Sequence, residues 1–238
     1  MKKIFTLLFS LLATHASQAA FPGKTSFTPF SKPTTTPNLQ IHENSKCVVL
    51  VHGFMETGTA FKSLKKRLEK QGYICLVPKL SPMDGRGGLE GLAQGLKQAI
   101  DKAYGPTREI TIIGFSMGGV VSRYYLKNLG GASRCKQLFT ISSPHHGTKT
   151  AWLYPTKGAE QMRPNSPFLT ELNHPNSHLQ KIPTVTYRSP LDLMILPSES
   201  SILPGALNLS HPALLHPLML VSDPVLSDIE CRLATKID

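Results

Sequence analysis

The sequence has no apolar run long enough to cross a bilayer, which takes about 20 residues. Its first apolar run, residues 4–13, is too short; Lys2 and Lys3 precede it, and the small-residue end Ser17-Gln18-Ala19 follows. A basic start, an apolar centre and a small-x-small end are typical of a secretory signal peptide. We therefore predict that residues 1–19 are a signal peptide, cleaved after its last residue, and that the mature chain is exported, periplasmic or extracellular. An uncleaved anchor is the alternative.

Acidic residues are scarce: 15 Asp and Glu stand against 26 Lys and Arg, for a formal net charge of +11. Loss of the two signal-peptide lysines lowers this charge by two, to +9. Much of the excess lies on the polar face of a predicted amphipathic helix at residues 59–71. No nucleic-acid-binding motif accompanies the charge, so nucleic acid is not a predicted partner. Transient contact with a membrane surface stays open.

Cysteine is also sparse, with four residues at long and irregular spacing: Cys47, Cys75, Cys135 and Cys231. That spacing is wrong for a zinc motif, and the glycine-rich segment 84–88 lacks the Gly-Lys-Ser/Thr ending of a phosphate-binding loop. We therefore predict no metal and no cofactor. An even number of cysteines in an exported protein permits one or two disulfides, and four buried free thiols are the alternative.

The apolar pattern predicts alternating strands and helices after a polar start. Residues 20–40 are rich in Pro, Thr and Ser and are predicted to be an extended leader before one domain at 41–238. Apolar runs predict five strands, the last of them the final strand of the sheet, at 47–51, 73–77, 110–113, 136–141 and 184–187. Apolar spacings of three and four predict helices at 59–71, between 89 and 104, after 116, and at 223–234. This alternation predicts an α/β fold, with a mostly parallel central sheet and helices on both faces.

The motif Gly-x-Ser-x-Gly occurs at residues 114–118, directly after a predicted strand and before a helical run. In that context the serine occupies a sharp strand-turn-helix connection, and the two glycines avoid collisions where strand and helix pack closely. Ser116 would then project its hydroxyl above the carboxyl edge of the sheet. We predict that Ser116 is a catalytic nucleophile rather than a serine in an ordinary glycine-rich loop.

A serine nucleophile needs a base that takes its proton and an acid that orients the base. On a scaffold of this kind the three residues follow in the order serine, acid, histidine. Asp192, directly after the strand at 184–187, is therefore the predicted acid, with Glu199 as the fallback. Order alone leaves two histidines, His211 and His216, as candidates for the base.

Six motifs in the same order resemble the bacterial α/β-hydrolase lipases and esterases, of the secreted triacylglycerol lipase type: VHGF, GFSMGG, SSPHHGT, the segment 161–166, SPLDLMILP and LLHPLML. The resemblance spans residues 46–233 and implies the α/β-hydrolase fold and hydrolysis of carboxylic esters through an acyl-enzyme. It implies Ser116 as nucleophile, Asp192 as acid and His216 as base, because the residues after His216 are similar to the family's segment after its histidine. His211 stays a rival.

The acyl-enzyme mechanism needs two donors for the oxyanion that forms on the substrate carbonyl. The position after the nucleophile predicts Met117 N–H as one donor. The resemblance to the family's His-Gly-x turn implies Phe54 N–H as the other, with His52 structural in that turn. The pair His145-His146 resembles a structural turn of the family, which argues against a metal site there.

Residues 148–182 contain four prolines and several large apolar residues without a regular period. A long irregular segment of this kind is more often a lid or pocket wall than a connector. We predict that it borders the nucleophile and that four of its side chains bind the acyl group: Trp152, Leu153, Met162 and Phe168. The alternative is that these side chains fill the core beneath a static loop.

These features predict a serine hydrolase that acts on lipid or short acyl esters. The same acyl-enzyme permits acyl transfer or thioester cleavage, because pocket shape and water access choose the leaving group and the acceptor. A third reading is a noncatalytic lipid-binding protein on this fold. The presence of Ser116, Asp192 and His216 counts against it.

Overall fold

The computed structural model of the protein describes residues 46–235. The predicted signal peptide at 1–19 and the predicted leader at 20–40 lie outside the described residues. A six-stranded sheet forms the centre, every strand pairing is parallel, and the strand order is β2-β1-β3-β4-β5-β6. The strands are β1 (Lys46–Val51), β2 (Tyr73–Leu76), β3 (Ile110–Phe115), β4 (Cys135–Ile141), β5 (Thr184–Arg188) and β6 (Leu207–Ser210).

Helices connect the strands and cover both faces of the sheet. The α-helices of the described residues are α1 (Lys62–Lys70), α2 (Leu89–Tyr104), α3 (Met117–Asn128), α4 (Lys157–Gln161), α5 (Pro167–Asn173), α6 (Ser177–Gln180) and α7 (Asp223–Ala234). Short 3-10 helices lie at Thr59–Phe61, Gly131–Ser133, Lys149–Leu153, Ser198–Ser201 and His216–Leu220. Within this described part, no helix is long and apolar enough to cross a membrane.

The central strands are apolar throughout because each face of the sheet packs against helices. Along β3, Ile112 belongs to one hydrophobic cluster and Ile113 to the cluster on the other face. Val49 and Leu50 of β1 divide in the same way. All four are fully buried, and burial of such a side chain contributes about 1.5–3 kcal/mol. The five predicted strands and the parallel sheet are confirmed.

The sequence prediction missed one strand and several short helices. The missed strand is β6, which comes after the strand predicted to be the last and has mostly exposed residues, so it shows no apolar run. Residues 148–182 are not irregular, since they contain α4, α5, α6 and the 3-10 helix Lys149–Leu153. These helices have four to seven residues each and are too short to show a helical period. Side-chain caps start each α-helix: Thr156, Ser166 and Asn176 accept backbone N–H groups.

Within residues 46–235 none of the four cysteines is joined to another by a disulfide, so the one or two bridges that their even number permits do not form. Cys47 and Cys75 lie on neighbouring strands but pack into clusters on opposite faces of the sheet. Cys47 pairs in register with Ile110, and Ile110 pairs with Cys135. Two strand spacings, about 9.6 Å, therefore separate Cys47 from Cys135, beyond the roughly 7 Å that a disulfide spans between Cα atoms. Cys231 is exposed on α7, so the alternative of four buried thiols also fails.

A thiol reagent should distinguish these cysteines. Burial raises the pKa of Cys75 and of Cys135 to about 12, which keeps both thiols protonated and slow to react at neutral pH. We expect iodoacetamide to modify exposed Cys231 first in the folded protein, as followed by peptide mass spectrometry. The Cys231→Ser variant should lack the fast phase, and a reductant should leave the melting temperature unchanged. Fewer than four titratable thiols in unreduced, denatured protein would contradict the assignment.

Candidate active site

Ser116 occupies the sharp turn between β3 and α3. Its φ of 53° and ψ of −126° lie outside the regions that L residues prefer, at a cost of about 1–3 kcal/mol, and such strain clusters at functional sites. The Ser116 N–H donates to Ile141 O at 2.8 Å, which fixes the turn beside the end of β4. The residue is half-buried. Its hydroxyl therefore sits at the carboxyl edge of the sheet, within reach of solvent.

Glycines make this turn possible because three backbone segments meet there. A Cβ on Gly118 would lie 2.1 Å from Val51 O, and one on Gly114 would lie 2.6 Å from Gly119 Cα. Neither contact can be relieved without moving backbone. The steric reason predicted for Gly114 and Gly118 is confirmed.

His216 and Asp192 form a buried hydrogen-bonded pair. His216 Nδ1 lies 2.7 Å from Asp192 Oδ2, and both side chains are more than nine-tenths buried. Asp192 Oδ1 accepts the N–H groups of Met194 at 2.8 Å and Ile195 at 3.1 Å. Burial raises the pKa of Asp192, but the His216 contact and these two N–H donors outweigh it and lower the pKa below the ordinary aspartate value. Asp192 is therefore an anion at neutral pH, hydrogen-bonded to Nδ1 at the edge of the imidazole ring.

The fold brings this pair to the same sheet edge as Ser116. Ser116 follows β3, Asp192 follows β5, and His216 follows β6, and the carboxyl ends of parallel strands share one edge. The ring of His216 packs on Phe115, the residue before Ser116, with ring centroids 4.6 Å apart. Since Nδ1 faces Asp192, Nε2 is the imidazole nitrogen left for other chemistry.

The alternative base and the alternative acid lie in other contacts. The ring of His211 packs on Tyr187, with ring centroids 6.0 Å apart. The backbone N–H of His211 donates to Arg188 O. Tyr187 in turn donates its hydroxyl to Asp228, so this histidine belongs to the cluster under α7. Glu199 is exposed, accepts the hydroxyl of neighbouring Ser198, and lies 3.6 Å from Arg188.

The turn after β1 lies against Ser116, as an oxyanion site beside this serine would require. A Cβ on Gly53 would lie 3.1 Å from Ser116 Cβ. Phe54 follows, and its ring packs edge-on against Tyr154 at 5.0 Å. Met117 begins α3, where the first N–H groups of a helix have no acceptor within the helix. His52 is fully buried and structural, as predicted: Leu80 N–H donates to its Nε2, and its Nδ1 contacts Gly53 O.

Sequence reasoning missed two polar residues that hold the acid loop. The Ser189 hydroxyl donates to Ala213 O at 2.8 Å and accepts Ala213 N–H at 3.0 Å, which ties the acid loop to the chain before His216. The Thr148 hydroxyl donates to Met194 O at 2.8 Å and accepts Leu196 N–H at 2.9 Å. Both residues are buried serine or threonine in loops, and nothing in the sequence separates them from other such residues.

The four side chains predicted to bind an acyl group do not form one channel. Trp152 and Leu153 are 64% and 61% exposed on the 3-10 helix that contacts the acid loop. Met162 is 6% exposed and belongs to a hydrophobic core cluster, and its carbonyl accepts the Thr148 N–H. Phe168 stacks on Tyr124, eight residues and about 12 Å along α3 from Ser116. Met162 and Phe168 therefore have packing contacts within the domain, and the acyl-binding role of the four side chains stays a prediction.

No cluster of three or more His, Cys, Asp or Glu side chains suited to a metal ion occurs within residues 46–235. The pair His145-His146 divides: His145 is fully buried beneath the turn, whereas His146 is exposed. His145 Nε2 lies 3.0 Å from Thr140 Oγ1, an internal hydrogen bond rather than an open ligand position. The site as described thus consists of Ser116, the Asp192–His216 pair and the turn after β1.

The family model described as palmitoyl protein thioesterase matches residues 47–167, just over half of the chain. The chain belongs to this family. The match includes the turn after β1, the Ser116 turn and β4, and it ends before Asp192 and His216. The sequence search of curated proteins gave no match.

Solved structures confirm the α/β-hydrolase fold for this palmitoyl protein thioesterase family member. The lipase BlEst2 of Bacillus licheniformis in its mature form is 17% identical with a TM-score of 0.63, over 80% of this chain and 93% of that one. Lipase B of Aspergillus fumigatus is 17% identical with a TM-score of 0.64, over 92% of this chain and 64% of that one. A pyrethroid hydrolase of Sphingobium faniae is 14% identical with a TM-score of 0.57, over 79% of this chain and 97% of that one. At such identities the likeness concerns the fold.

Ser189 should act as a positioning residue in this family member. Ser189→Ala removes the hydroxyl that joins the acid loop to the chain before His216, and misplacement of a catalytic pair can cost up to about a hundredfold in rate. We expect kcat for a p-nitrophenyl ester to fall about tenfold with KM nearly unchanged. Ser133→Ala, which removes a similar hydroxyl-to-carbonyl bond far from the site, is the control. A lower melting temperature with unchanged kcat would show that Ser189 is only structural.

Proposed function

We propose that this protein is a serine hydrolase that cleaves carboxylic acyl esters through an acyl-enzyme. The observation that carries the proposal is the buried Asp192–His216 hydrogen bond of 2.7 Å, at the same sheet edge as the strained Ser116 turn. A lone serine hydroxyl is a weak nucleophile at neutral pH, and a histidine oriented by a carboxylate activates it. Ser116 is the proposed nucleophile, His216 the base and Asp192 the orienting acid.

In the first half-reaction, Ser116 Oγ attacks the acyl carbonyl carbon while His216 Nε2 takes the hydroxyl proton. The negative charge that forms on the carbonyl oxygen is stabilised by Phe54 N–H and Met117 N–H. When the tetrahedral intermediate collapses, the bond to the leaving alcohol breaks, and His216 returns its proton to that alcohol. The product is an acyl group bound to Ser116 Oγ.

In the second half-reaction, His216 Nε2 removes a proton from water, and the water oxygen attacks the acyl carbon. Collapse of this intermediate restores the Ser116 hydroxyl with the proton from His216 and releases the carboxylic acid. Asp192 stays ionised, because its lowered pKa keeps it charged at neutral pH. Its charge stabilises the imidazolium of each intermediate and holds the ring with Nε2 toward the reaction.

The proposed triad predicts a ranked set of losses. Ser116→Ala and His216→Ala should each abolish measurable hydrolysis of a p-nitrophenyl ester, because the members of such a unit fail together. Asp192→Asn should lower kcat by up to about four orders of magnitude, since it favours the wrong tautomer of the histidine. His211→Ala is the matched histidine control and should change kcat less than about tenfold. The variants should keep the wild-type circular dichroism spectrum.

A different ranking would reassign the roles. If His211→Ala were the more damaging change, the base would be His211, and an Asp192→Asn loss below tenfold would favour Glu199. A fluorophosphonate probe separates the enzyme from a noncatalytic lipid-binding protein. It should label wild type and leave Ser116→Ala unlabelled, and failure to label wild type would remove the catalytic proposal.

Thioester hydrolysis is the second candidate, and the match to the palmitoyl protein thioesterase family model favours it. The same acyl-enzyme forms from either substrate, since only the leaving group differs. An oxyester and a thioester that share one acyl group decide between them, with kcat/KM as the measure. A higher value for the oxyester at several chain lengths supports the main proposal, and a consistent preference for the thioester replaces it. Acyl transfer would appear as a product that depends on an added alcohol.

Exposed apolar side chains around the site support a lipid-like substrate. We define the apolar rim as Met55, Trp152, Leu153, Leu193 and Leu214, each more than half exposed. They lie on the turn after β1, the 3-10 helix before α4, the acid loop and the loop before His216. An apolar group of this kind on separate loops around one site is typical of an interaction surface. We propose that the rim contacts acyl chains at a micelle or membrane surface.

The rim can be tested by adding charge. Leu193→Asp and Leu214→Asp should lower turnover of a long-chain ester in phospholipid micelles severalfold, while p-nitrophenyl acetate in free solution is cleaved at the wild-type rate. Leu207→Asp is the control, because Leu207 is exposed at the amino end of β6, away from the site. Equal losses on both substrates would indicate damage to the site itself, and no loss on micelles would remove the rim from the proposal.

We also propose that the enzyme acts outside the cytoplasm. The support is the basic, apolar and small-residue pattern of residues 1–19. Amino-terminal sequencing of the mature protein would test this, and cleavage after Ala19 is the expected result.

A further inference from the structure

Arg123 carries a positive charge deep in the molecule, away from the proposed triad. It lies on α3, seven residues and about 10 Å along the helix axis from Ser116, and only 5% of it is exposed. Its Nη2 group donates to Asn173 Oδ1 at 2.9 Å and to Leu172 O at 3.3 Å. Nη1 lies 3.5 Å from His145 Nδ1. These contacts use three of the five N–H donors of a guanidinium.

All these acceptors are neutral. The pKa of His145 lies well below its ordinary value, mainly because the ring is buried and also because Arg123 is positively charged. This imidazole is therefore uncharged. Within residues 46–235, no carboxylate lies within 4.0 Å of the Arg123 guanidinium. Burial alone lowers the pKa of Arg123 to about 10, the direction expected of a charge without a counter-ion.

Arg134 is a second buried arginine, and it has a counter-ion. It is 6% exposed, almost the same as Arg123, but its Nη1 forms a 2.8 Å ion pair with Asp101. Its other contacts are the carbonyls of Arg108 and Gly105. Removing a charge from water costs several kcal/mol unless an opposite charge offsets it. Arg134 has that offset within the chain, and Arg123 lacks it within the described part.

A cavity of about 540 Å³ adjoins Arg123. Its lining comes from α3, β4 and the turn after it, the α5–α6 region, the start of β5 and the loop before β6, and it includes none of the proposed triad. Two imidazoles (His146 and His174) and three amides (Asn173, Asn176 and Gln180) line it, and no Asp or Glu does. Much of the remaining lining is apolar: Leu138, Leu172, Leu179, Ile182 and Leu203. The volume is in the range of roughly 300–1,000 Å³ that small-molecule sites have.

We propose that this Arg123 cavity binds a small organic carboxylate with an apolar tail. One uncompensated guanidinium matches one negative charge, and its planar donors suit the two oxygens of a carboxylate. The apolar lining gives the tail a place out of water. A phosphate dianion would bring a second negative charge that the single arginine does not balance. The proposal rests on Arg123 and the cavity and does not depend on the catalytic roles.

Calorimetric titration of the full chain with sodium octanoate tests the proposal, and octanamide is the uncharged probe of the same length. We expect octanoate to bind at least tenfold more tightly than octanamide and to raise the melting temperature. Arg123→Met should weaken octanoate binding at least tenfold. It should still fold, since replacing a buried charge by an apolar side chain is often neutral. Arg123→Lys keeps the charge without the planar donors, so its affinity for octanoate should lie between those of Arg123→Met and wild type.

A second variant blocks the cavity without touching the arginine. Ala206 lines the cavity on the side of β6, so Ala206→Phe should abolish octanoate binding while p-nitrophenyl acetate is cleaved as by wild type. Leu193→Asp, on the apolar rim, should leave octanoate binding unchanged. Octanoate that binds Arg123→Met and Ala206→Phe as tightly as wild type would overturn the proposal. So would equal affinity for octanoate and octanamide, because the charge would then play no part.

Discussion

The close approach of three backbone segments at the Ser116 turn decides where the rest of the site can be. The start of α3 packs against the carbonyl of Val51, and β3 packs against Gly119, at distances that leave no space for a Cβ. This contact brings the turn after β1 against the serine, so the proposed oxyanion donors and the nucleophile are positioned together. The positive φ of Ser116 is maintained because the close contacts of the neighbouring backbone segments fix the conformation of the turn.

The acid and the histidine reach this turn through loops that are tied to one another rather than to the sheet alone. Ser189 joins the acid loop to the chain before His216, and Thr148 joins the acid loop to the segment that follows β4. Each bond uses a short side chain and a backbone group, which loses little conformational freedom. The site therefore depends on a network of loop contacts as much as on the strand order.

The proposed acyl-enzyme can form from an oxyester or from a thioester, because the two substrates differ only in the leaving group. The matching family model is described as palmitoyl protein thioesterase, and the solved lipases share the fold at 17% identity. The proposed rim and the Arg123 cavity share no residue. The rim offers apolar contact next to the reaction, and the cavity offers a charged end for an acid.

The sequence by itself determined the parallel sheet, the serine turn and the candidate acid and bases, since each depends on local pattern and chain order. Apolar runs mark buried strands, and a Gly-x-Ser-x-Gly turn can form in few other ways. Only the tertiary structure placed His216 on Asp192 and His211 on Tyr187, separated the cysteines, and packed Met162 into a core cluster and Phe168 on Tyr124. Those outcomes depend on distances between residues far apart in the chain. Such distances follow from strand order and face, and a linear pattern does not contain them.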